Sequence, residues 1–198
     1  MKRETEVLIV GAGPTGLVLA LWLTRLGVKV RLVDKAAEPG TTSRALAVHA
    51  RILEFYDQIG LAEAIVDRGL KMAAATLWVA GQKRGRIVFG DMGQGVSPFP
   101  YALSFPQDEH ERLLTSRLAA LGVSVERPVE LVSFEDRDAQ VVAHLRRPDG
   151  SKEVVEAAFL AGCDGTHSIV REALKVGFPG GTYLHISTLP ILRRVAPR

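Results

Sequence analysis

The sequence predicts an α/β fold in which helices cover a largely parallel β-sheet. Residues 7–10 form an apolar run that leads directly into glycines at positions 11, 13 and 16, followed by an apolar helical pattern. A parallel strand that is buried on both faces has such a continuous run, and the glycines are typical of a tight strand-to-helix turn. Apolar and charged residues then alternate over residues 28–32, which predicts the next strand of the sheet.

The spacing of the glycines has a specific physical meaning in such a turn. Gly11 allows the tight turn, Gly13 allows a pyrophosphate to approach the backbone, and Gly16 allows the helix to pack against the strand. Pro14 and Thr15 stand at the start of the helix, where unpaired N–H groups and the positive end of the helix dipole stabilise a phosphate. The turn therefore predicts a Rossmann-like dinucleotide-binding fold.

Asp34 follows the second predicted strand, about twenty residues beyond the glycines. A carboxylate at this place can accept hydrogen bonds from the hydroxyls of an adenosine ribose, and it would repel the 2′-phosphate of NADP even though Lys35 follows. The other common phosphate loop needs a lysine directly after its last glycine, and Leu17 and Val18 stand there instead. A dinucleotide site is therefore favoured over a P-loop.

The rest of the chain continues with further helices and strands. We expect helices over residues 45–60, 61–69, 109–121 and 166–174, with Asp108 as the N-cap of the third. Short strands are expected over residues 76–80, 86–89, 102–105 and 123–125, and a β-meander over residues 129–134, 141–145 and 153–155. Residues 159–163 are expected to return to the parallel sheet as a separate short strand.

Composition and charge exclude several classes of protein. The 198 residues are 47% hydrophobic and 24% charged, with a net charge of +3, which is typical of a soluble globular protein. Basic residues are scattered among acidic ones, so no nucleic-acid surface is indicated. The single cysteine excludes an internal disulfide framework, and the five histidines have no metal-ligand spacing. The N-terminal residues match neither a signal peptide nor a membrane span, which predicts a cytoplasmic protein.

A second group of polar residues follows the last predicted strand. Asp164 and Gly165 are expected at the carboxyl edge of the sheet, where ligands bind in open α/β folds. Asp164 can accept hydrogen bonds from a ligand, or it can cap the following helix, and the sequence leaves these alternatives open. Cys163 belongs to an apolar strand and is expected to be an inert thiol rather than a nucleophile.

These motifs occur in the order and spacing of a known family. The residues concerned are the glycines at 11, 13 and 16, Asp34, Ser43-Arg44-Ala45, Gln107, and Cys163-Asp164-Gly165 with Ser168, Val170 and Arg171. The chain resembles the single-component FAD-dependent aromatic hydroxylases of the para-hydroxybenzoate hydroxylase type (group A flavoprotein monooxygenases), and within them the phenol and polyketide hydroxylases. The resemblance covers about residues 6–183, and the Asp-Gly motif distinguishes the chain from plain NAD dehydrogenases.

The resemblance implies how FAD would be bound. The glycine turn at residues 11–16 would surround the FAD pyrophosphate, and Asp34, followed by Lys35, would hold the adenosine ribose. Arg44 would lie near the FAD phosphates, where a guanidinium group suits the geometry, and Gln107 would bond the region between the ribityl chain and the phosphates. The alternatives are a solvated loop charge for Arg44 and an ordinary helix-start residue for Gln107.

The resemblance also implies a reaction and its partners. Asp164 and Gly165 would serve both FAD and the transient approach of NAD(P)H, which reduces the flavin. In this family reduced flavin adds O₂ to give a C4a-hydroperoxide, which hydroxylates a phenolic or polyketide substrate. Because the flavin carries this chemistry, we name no catalytic side chain and no metal site. Neither nucleic acid nor a membrane is expected as a partner, and a homo-oligomer is compatible with the sequence.

The domain organisation that the resemblance implies is discontinuous. Residues 1–74 and 106–178 would form the FAD-binding domain, residues 75–105 would begin an inserted β-rich substrate domain, and residues 179–198 would be a truncated or non-native tail. Members of the family continue beyond this length with a second FAD motif. The alternatives to an active hydroxylase are a catalytically silent FAD- or ADP-binding fragment and another FAD oxidoreductase of the same superfamily.

Overall fold

The computed structural model describes residues 5–40, 47–90 and 93–181. These residues contain the strands β1 (Thr5–Val10), β2 (Val30–Val33), β3 (Ala47–Val48), β4 (Leu70–Lys71), β5 (Ala74–Val79), β6 (Gln82–Val88), β7 (Leu103–Ser104), β8 (Val125–Glu126), β9 (Glu130–Asp136), β10 (Val141–Arg146) and β11 (Lys152–Gly162). They also contain the helices α1 (Pro14–Arg25), α2 (Ala50–Gln58), α3 (Ala62–Arg68), α4 (Gln107–Ala120) and α5 (Ile169–Ala173).

The largest sheet has six strands in the order β8-β2-β1-β11-β10-β9. β1 pairs in parallel with β2 on one side and with β11 on the other, and β2 pairs in parallel with β8. β10 and β9 continue the sheet in antiparallel fashion and form the predicted meander together with β11. The predicted α/β fold, with a parallel sheet, covering helices and a β-meander, is confirmed.

The pleat of β1 divides its side chains between two hydrophobic cores. Val7 and Ile9 pack in a core with residues of α1, α2, α3 and α4. Leu8 and Val10 pack in a second core with residues of β9, β10, β11 and α5. Because successive side chains of a strand point to opposite faces, a strand that is covered on both faces needs an uninterrupted apolar run. This explains why the run at residues 7–10 shows no alternation.

A single strand replaces two of the predicted ones. β11 pairs with β10 up to Ala157 and with β1 from Ala157 to Gly162. The prediction of separate strands over residues 153–155 and 159–163 is therefore wrong. The physical reason is that β11 passes from the meander into the parallel sheet without a turn, so the chain stays extended while its hydrogen-bonding partner changes.

Three helix boundaries also differ from the predicted ones. α2 begins at Ala50 because Ala47–Val48 form β3 and the N-cap His49 is still extended. α4 has Pro106 as its N-cap, so Asp108 lies in the first turn, where the helix dipole still favours a negative charge. Residues 166–174 are divided between a short 3-10 turn and α5, and the hydroxyl of the N-cap Ser168 accepts a hydrogen bond from a backbone N–H of α5.

Two smaller sheets accompany the main one. β3, β7 and β4 form a three-stranded antiparallel sheet, and β5 and β6 form a separate hairpin. The hairpin exposes large apolar side chains, namely Leu77, Trp78, Val79, Ile87 and Val88. Within the described residues, no helix has the length and apolar character that a membrane crossing requires.

Candidate functional site

The carboxyl ends of β1, β2 and β11 meet at one edge of the main sheet, because these strands are parallel. A cavity of about 370 Å³, here called the sheet-edge cavity, lies at this edge. Most of the predicted site residues line it, namely Gly11, Gly13, Pro14, Thr15, Asp34, Lys35, Gln107, Asp164 and Gly165. Gly16 is buried in α1, and Arg44 lies outside the described residues.

Gly11 and Gly16 are required by the packing of the protein itself. Gly11 has a φ of +101°, a left-handed conformation that side chains disfavour. A Cβ atom on Gly11 would lie 2.3 Å from the carbonyl oxygen of Cys163, and a Cβ atom on Gly16 would lie 1.9 Å from the carbonyl oxygen of Gly11. The backbones of β1, α1 and the segment after β11 therefore come together only because these positions lack side chains.

Gly13 has a different environment. Its φ is −74°, which any residue can adopt, and a Cβ atom there would meet no described atom within 4 Å. Because Gly13 lines the sheet-edge cavity, the missing side chain leaves room for a group that approaches the backbone. The first turn of α1 beside it has no acidic side chain, and the N–H groups of a helix N-terminus favour an anion.

The carboxylate of Asp34 is held in the wall of the cavity by three groups. Its Oδ2 accepts a hydrogen bond of 2.6 Å from the N–H of Ala12, and its Oδ1 accepts one of 2.8 Å from the N–H of Ala36. The guanidinium group of Arg127 lies 3.1 Å from Oδ1. Asp34 thereby connects the glycine turn to the loop that follows β2.

The carboxylate of Asp164 supports the start of α5, whose N-cap residue is Ser168. Its Oδ1 accepts a hydrogen bond of 2.5 Å from the hydroxyl of Ser168, and its Oδ2 accepts one of 2.8 Å from the N–H of Ile169. Of the two roles that the sequence left open, the capping role is therefore seen directly in the structure. Gly165 has a φ of +78°, and a Cβ atom there would meet no described atom within 4 Å.

Gln107 is the first residue of α4 and donates a hydrogen bond of 2.8 Å to the carboxylate of Glu111. Glu111 is buried, with 7% of its surface exposed. A polar pair therefore lies directly behind the part of the cavity that Gln107 lines. The position of Gln107 at the start of a helix agrees with the alternative interpretation, while its place in the cavity wall agrees with the predicted binding role.

A second cavity of about 870 Å³ lies beside the sheet-edge cavity, and Pro14, Thr15 and Gln107 line both. This apolar cavity is lined mainly by hydrophobic and aromatic side chains. Trp22 and Phe55 form an edge-to-face pair there, with 6.4 Å between their ring centroids.

Tyr56 and His110 form a buried pair at the same apolar cavity. The Tyr56 hydroxyl lies 2.8 Å from Nε2 of His110. Burial raises the pKa of Tyr56 to about 12 and lowers the pKa of His110. Both side chains are therefore neutral near pH 7, and the contact gives each buried polar group a hydrogen-bond partner.

Cys163 lines the sheet-edge cavity and is half-buried. Burial, together with the negative charge of Asp164, raises the pKa of its thiol. A raised pKa lowers the fraction of thiolate at neutral pH, which agrees with the expectation of an inert thiol.

Two residues near the cavity were not predicted from the sequence. Glu111 stands four positions after Gln107, and this spacing on a predicted helix could have indicated their contact. Arg127 contacts Asp34 across 93 positions of the chain, and no local pattern around Arg127 indicates this pairing. The pairing of β2 with β8, which the backbone hydrogen bonds of Asp34 with Glu126 and Val129 continue, brings the two together.

Residues 4–197 match the family model described as the FAD binding domain. The chain belongs to this family. The 6-methylpretetramide 4-monooxygenase of Streptomyces rimosus is similar to this chain, with 45% identity over 88% of this chain and 31% of that enzyme's length. The pentachlorophenol 4-monooxygenase of Sphingobium chlorophenolicum is 30% identical over 92% of this chain and 34% of its own length.

Solved structures of flavin hydroxylases have the same fold as this FAD binding domain. The p-nitrophenol 4-monooxygenase of Pseudomonas putida DLL-E4 has a TM-score of 0.83 and 25% identity, covering 92% of this chain and 46% of that structure. A complex of aklavinone-11 hydroxylase with FAD and aklavinone has a TM-score of 0.80 and 29% identity, covering 89% of this chain and 36% of that structure. The chain thus spans about a third of the length of the curated relatives it matches.

Proposed function

We propose that the sheet-edge cavity binds the ADP half of FAD. The observation that carries this proposal is the open backbone at Gly13, which lies in the cavity wall at the N-terminus of a 12-residue helix. A pyrophosphate fits such a place because it needs close backbone approach and N–H donors. In this proposal Gly11, Gly13, Pro14 and Thr15, which line the cavity, surround the pyrophosphate, and Gly16 allows α1 to pack close to the glycine turn.

In the same proposal, other residues bind the adenosine ribose, the phosphates and the ribityl chain of FAD. Asp34 accepts a hydrogen bond from the adenosine ribose, with Lys35 at the same end of the cavity. Gln107 lies at the opening toward the apolar cavity and donates toward the ribityl chain. Arg44 adds positive charge near the phosphates, as the resemblance implies.

For Asp164 we propose a supporting role rather than a direct one. Its two carboxylate oxygens already hold Ser168 and the start of α5. That contact fixes the backbone at Gly165, where the absence of a side chain leaves the cavity wall accessible to FAD or to NAD(P)H.

For the whole protein we propose NAD(P)H-dependent hydroxylation of an aromatic substrate in the cytoplasm, with FAD as the cofactor. The names of the two relatives above, a pentachlorophenol monooxygenase and a 6-methylpretetramide monooxygenase, support this proposal. FAD supplies the redox chemistry and the activation of O₂ when it is bound. The residues of this chain bind and orient the nucleotide part of the cofactor.

Oxygen uptake tests the proposed activity. The chain is loaded with FAD and mixed with NADH or NADPH, with and without a panel of phenols, while O₂ consumption and hydroxylated products are measured. The proposal predicts uptake that a phenol stimulates, together with a hydroxylated product. Uptake that no phenol changes would favour another FAD oxidoreductase of the same superfamily.

The second candidate function is FAD or ADP binding without catalysis. The observation that favours it is the lining of the sheet-edge cavity, which suits a nucleotide, while the chain spans only 31% and 34% of the length of the two monooxygenases compared above. Retained FAD with no NAD(P)H-dependent oxygen uptake would support this candidate and contradict the hydroxylase activity for the isolated chain.

A further inference from the structure

Arg127 lies between β8 and β9, and its side chain is largely buried against the back of the sheet-edge cavity. Only 14% of the side chain is exposed, and it does not line the cavity. Its guanidinium group lies 3.1 Å from Oδ1 of Asp34 and donates hydrogen bonds to the carbonyl oxygens of Ala36 at 3.3 Å and Ala12 at 3.4 Å. One side chain thus joins the glycine turn, the end of β2 and the loop after it.

The contacts of Asp34 leave it limited capacity for a ligand. A carboxylate offers about four lone-pair sites. Among the described residues, Oδ1 accepts from the N–H of Ala36 and pairs with Arg127, while Oδ2 accepts only from the N–H of Ala12. The free acceptor site is therefore on Oδ2, the oxygen that points toward the glycine turn.

We propose that Arg127 is a positioning residue that orients Asp34 so that Oδ2 accepts a hydrogen bond from the adenosine ribose. This inference rests on the proposed binding of the ADP half of FAD. Arg127 occupies Oδ1 from behind the cavity and prevents the carboxylate from rotating, since a rotation would break the contacts to Ala12 and Ala36 as well. Its positive charge also balances Asp34, which reduces repulsion of the nearby pyrophosphate.

An arginine suits this role better than a lysine. The guanidinium group has five N–H donors in a fixed planar arrangement, and here it donates to the carbonyl oxygens of Ala12 and Ala36 while it pairs with the carboxylate of Asp34. An ammonium group would keep the charge but would not hold the three acceptors in one plane. In Arg127→Lys the side chain should therefore still orient Asp34, but less completely than Arg127 does.

Nucleotide binding with and without ribose hydroxyls tests the inference. Affinities for ADP and for 2′,3′-dideoxy-ADP are measured by calorimetry for the wild type, Arg127→Met and Arg127→Lys. Arg137→Met serves as the matched control, because Arg137 is exposed and its ion pair with Glu135 lies away from the cavity. Urea unfolding of each variant establishes that it is folded.

The wild type and Arg137→Met should prefer ADP over the dideoxy analogue by roughly tenfold, the ratio expected for a hydrogen bond to a charged acceptor. In Arg127→Met this preference should fall to about twofold or less, with an intermediate value in Arg127→Lys. If Arg127 had a merely structural role, Arg127→Met would weaken the binding of both nucleotides equally and leave the ratio of the two affinities unchanged. That result would overturn the inference.

The failures of the two proposals are distinguishable. If the wild type binds both nucleotides equally well, the positioning role is wrong while nucleotide binding stands. If the wild type binds neither, the proposed function fails and the inference fails with it. If Arg127→Met does not fold, Arg127→Lys decides, because an unchanged preference for ADP in that variant contradicts the need for the guanidinium geometry.

Discussion

At the scale of single residues, the three glycines of the turn have two different reasons for being glycine. Gly11 and Gly16 are needed because backbone atoms lie within 2.3 Å and 1.9 Å of the places where their Cβ atoms would be. Gly13 has no such neighbour among the described atoms and faces the cavity. Substitution should therefore affect folding at Gly11 and Gly16 and ligand binding at Gly13.

Gly13→Ala and Gly16→Ala form a matched pair that tests this distinction. Gly13→Ala should change the free energy of unfolding by less than about 0.5 kcal/mol and weaken FAD binding by roughly tenfold or more, since the methyl group occupies the approach of the pyrophosphate. Gly16→Ala should destabilise the fold by about 3 kcal/mol, because backbone atoms cannot move aside cheaply. Urea unfolding and FAD titration measure the two effects. Equal stability losses in both variants would contradict the assignment.

Cys163 offers a chemical probe of the same cavity. Because burial and Asp164 raise the pKa of its thiol, its alkylation by iodoacetamide should be slow near neutral pH and should accelerate as the pH rises toward the raised pKa. ADP should slow the reaction further, since Cys163 lines the sheet-edge cavity. Mass spectrometry gives the rates. Fast alkylation at pH 7 that ADP does not change would argue against ligand binding beside this thiol.

At the scale of elements, one arginine connects three strands of the main sheet. Arg31 of β2 makes paired hydrogen bonds to Glu126 of β8 and to Glu153 of β11, with shortest contacts of 2.6 Å and 2.7 Å. Its side chain is only 15% exposed. These hydrogen bonds raise the pKa of Arg31 and lower the pKa of Glu153.

Arg31→Met should destabilise the protein by about 3 kcal/mol, because the partly buried carboxylates of Glu126 and Glu153 lose the guanidinium group between them. Among the described residues, Glu153 then keeps only its ion pair with Arg147. Arg137→Met, which removes an exposed ion pair with Glu135, should cost less than about 1 kcal/mol. The lowered pKa of Glu153 implies stability that is present above the ordinary carboxyl pKa and is lost as the pH falls from that value through the lowered pKa. The acid-induced loss of stability should therefore be smaller in Arg31→Met. Urea unfolding as a function of pH measures both effects, and an unchanged pH dependence would contradict this account.

The local parts of the fold were predictable from the sequence, and the parts that depend on distant pairing were not. The glycine turn and Asp34 follow from a short pattern of strand, turn, helix and strand, so their place at the cavity could be predicted. The contact of Arg127 with Asp34 depends on the pairing of β2 with β8. The start of α4 at Gln107 was missed because Asp108 is a good capping residue, while Pro106 supplies the extended conformation of the N-cap.

At the scale of the whole molecule, the main sheet has an edge that no described strand covers. β10 leaves β11 at Ala157, and from Ala158 to Gly162 β11 pairs only with β1. Phe159 in this segment is 69% exposed. An unpaired strand edge beside an exposed aromatic side chain favours association with another strand.

Self-association through this edge should depend on protein concentration and should be reduced by Phe159→Lys, since a charge on an edge strand opposes strand addition. Val154→Lys is the matched control, because Val154 is exposed on the same strand where β10 already covers the edge. Sedimentation velocity over a range of concentrations measures the effect. Equal self-association of the Phe159→Lys and Val154→Lys variants would show that the chains do not associate through this strand edge.

The most direct test of the central claim, that this chain binds FAD through the sheet-edge cavity, is the visible absorption spectrum of the purified chain. The spectrum is recorded after FAD is added and the excess is removed, for the wild type and for Gly13→Ala. Our account predicts stoichiometric retained flavin in the wild type and much less in Gly13→Ala. A wild-type chain that is folded and colourless, or a Gly13→Ala variant that retains as much flavin as the wild type, would contradict it.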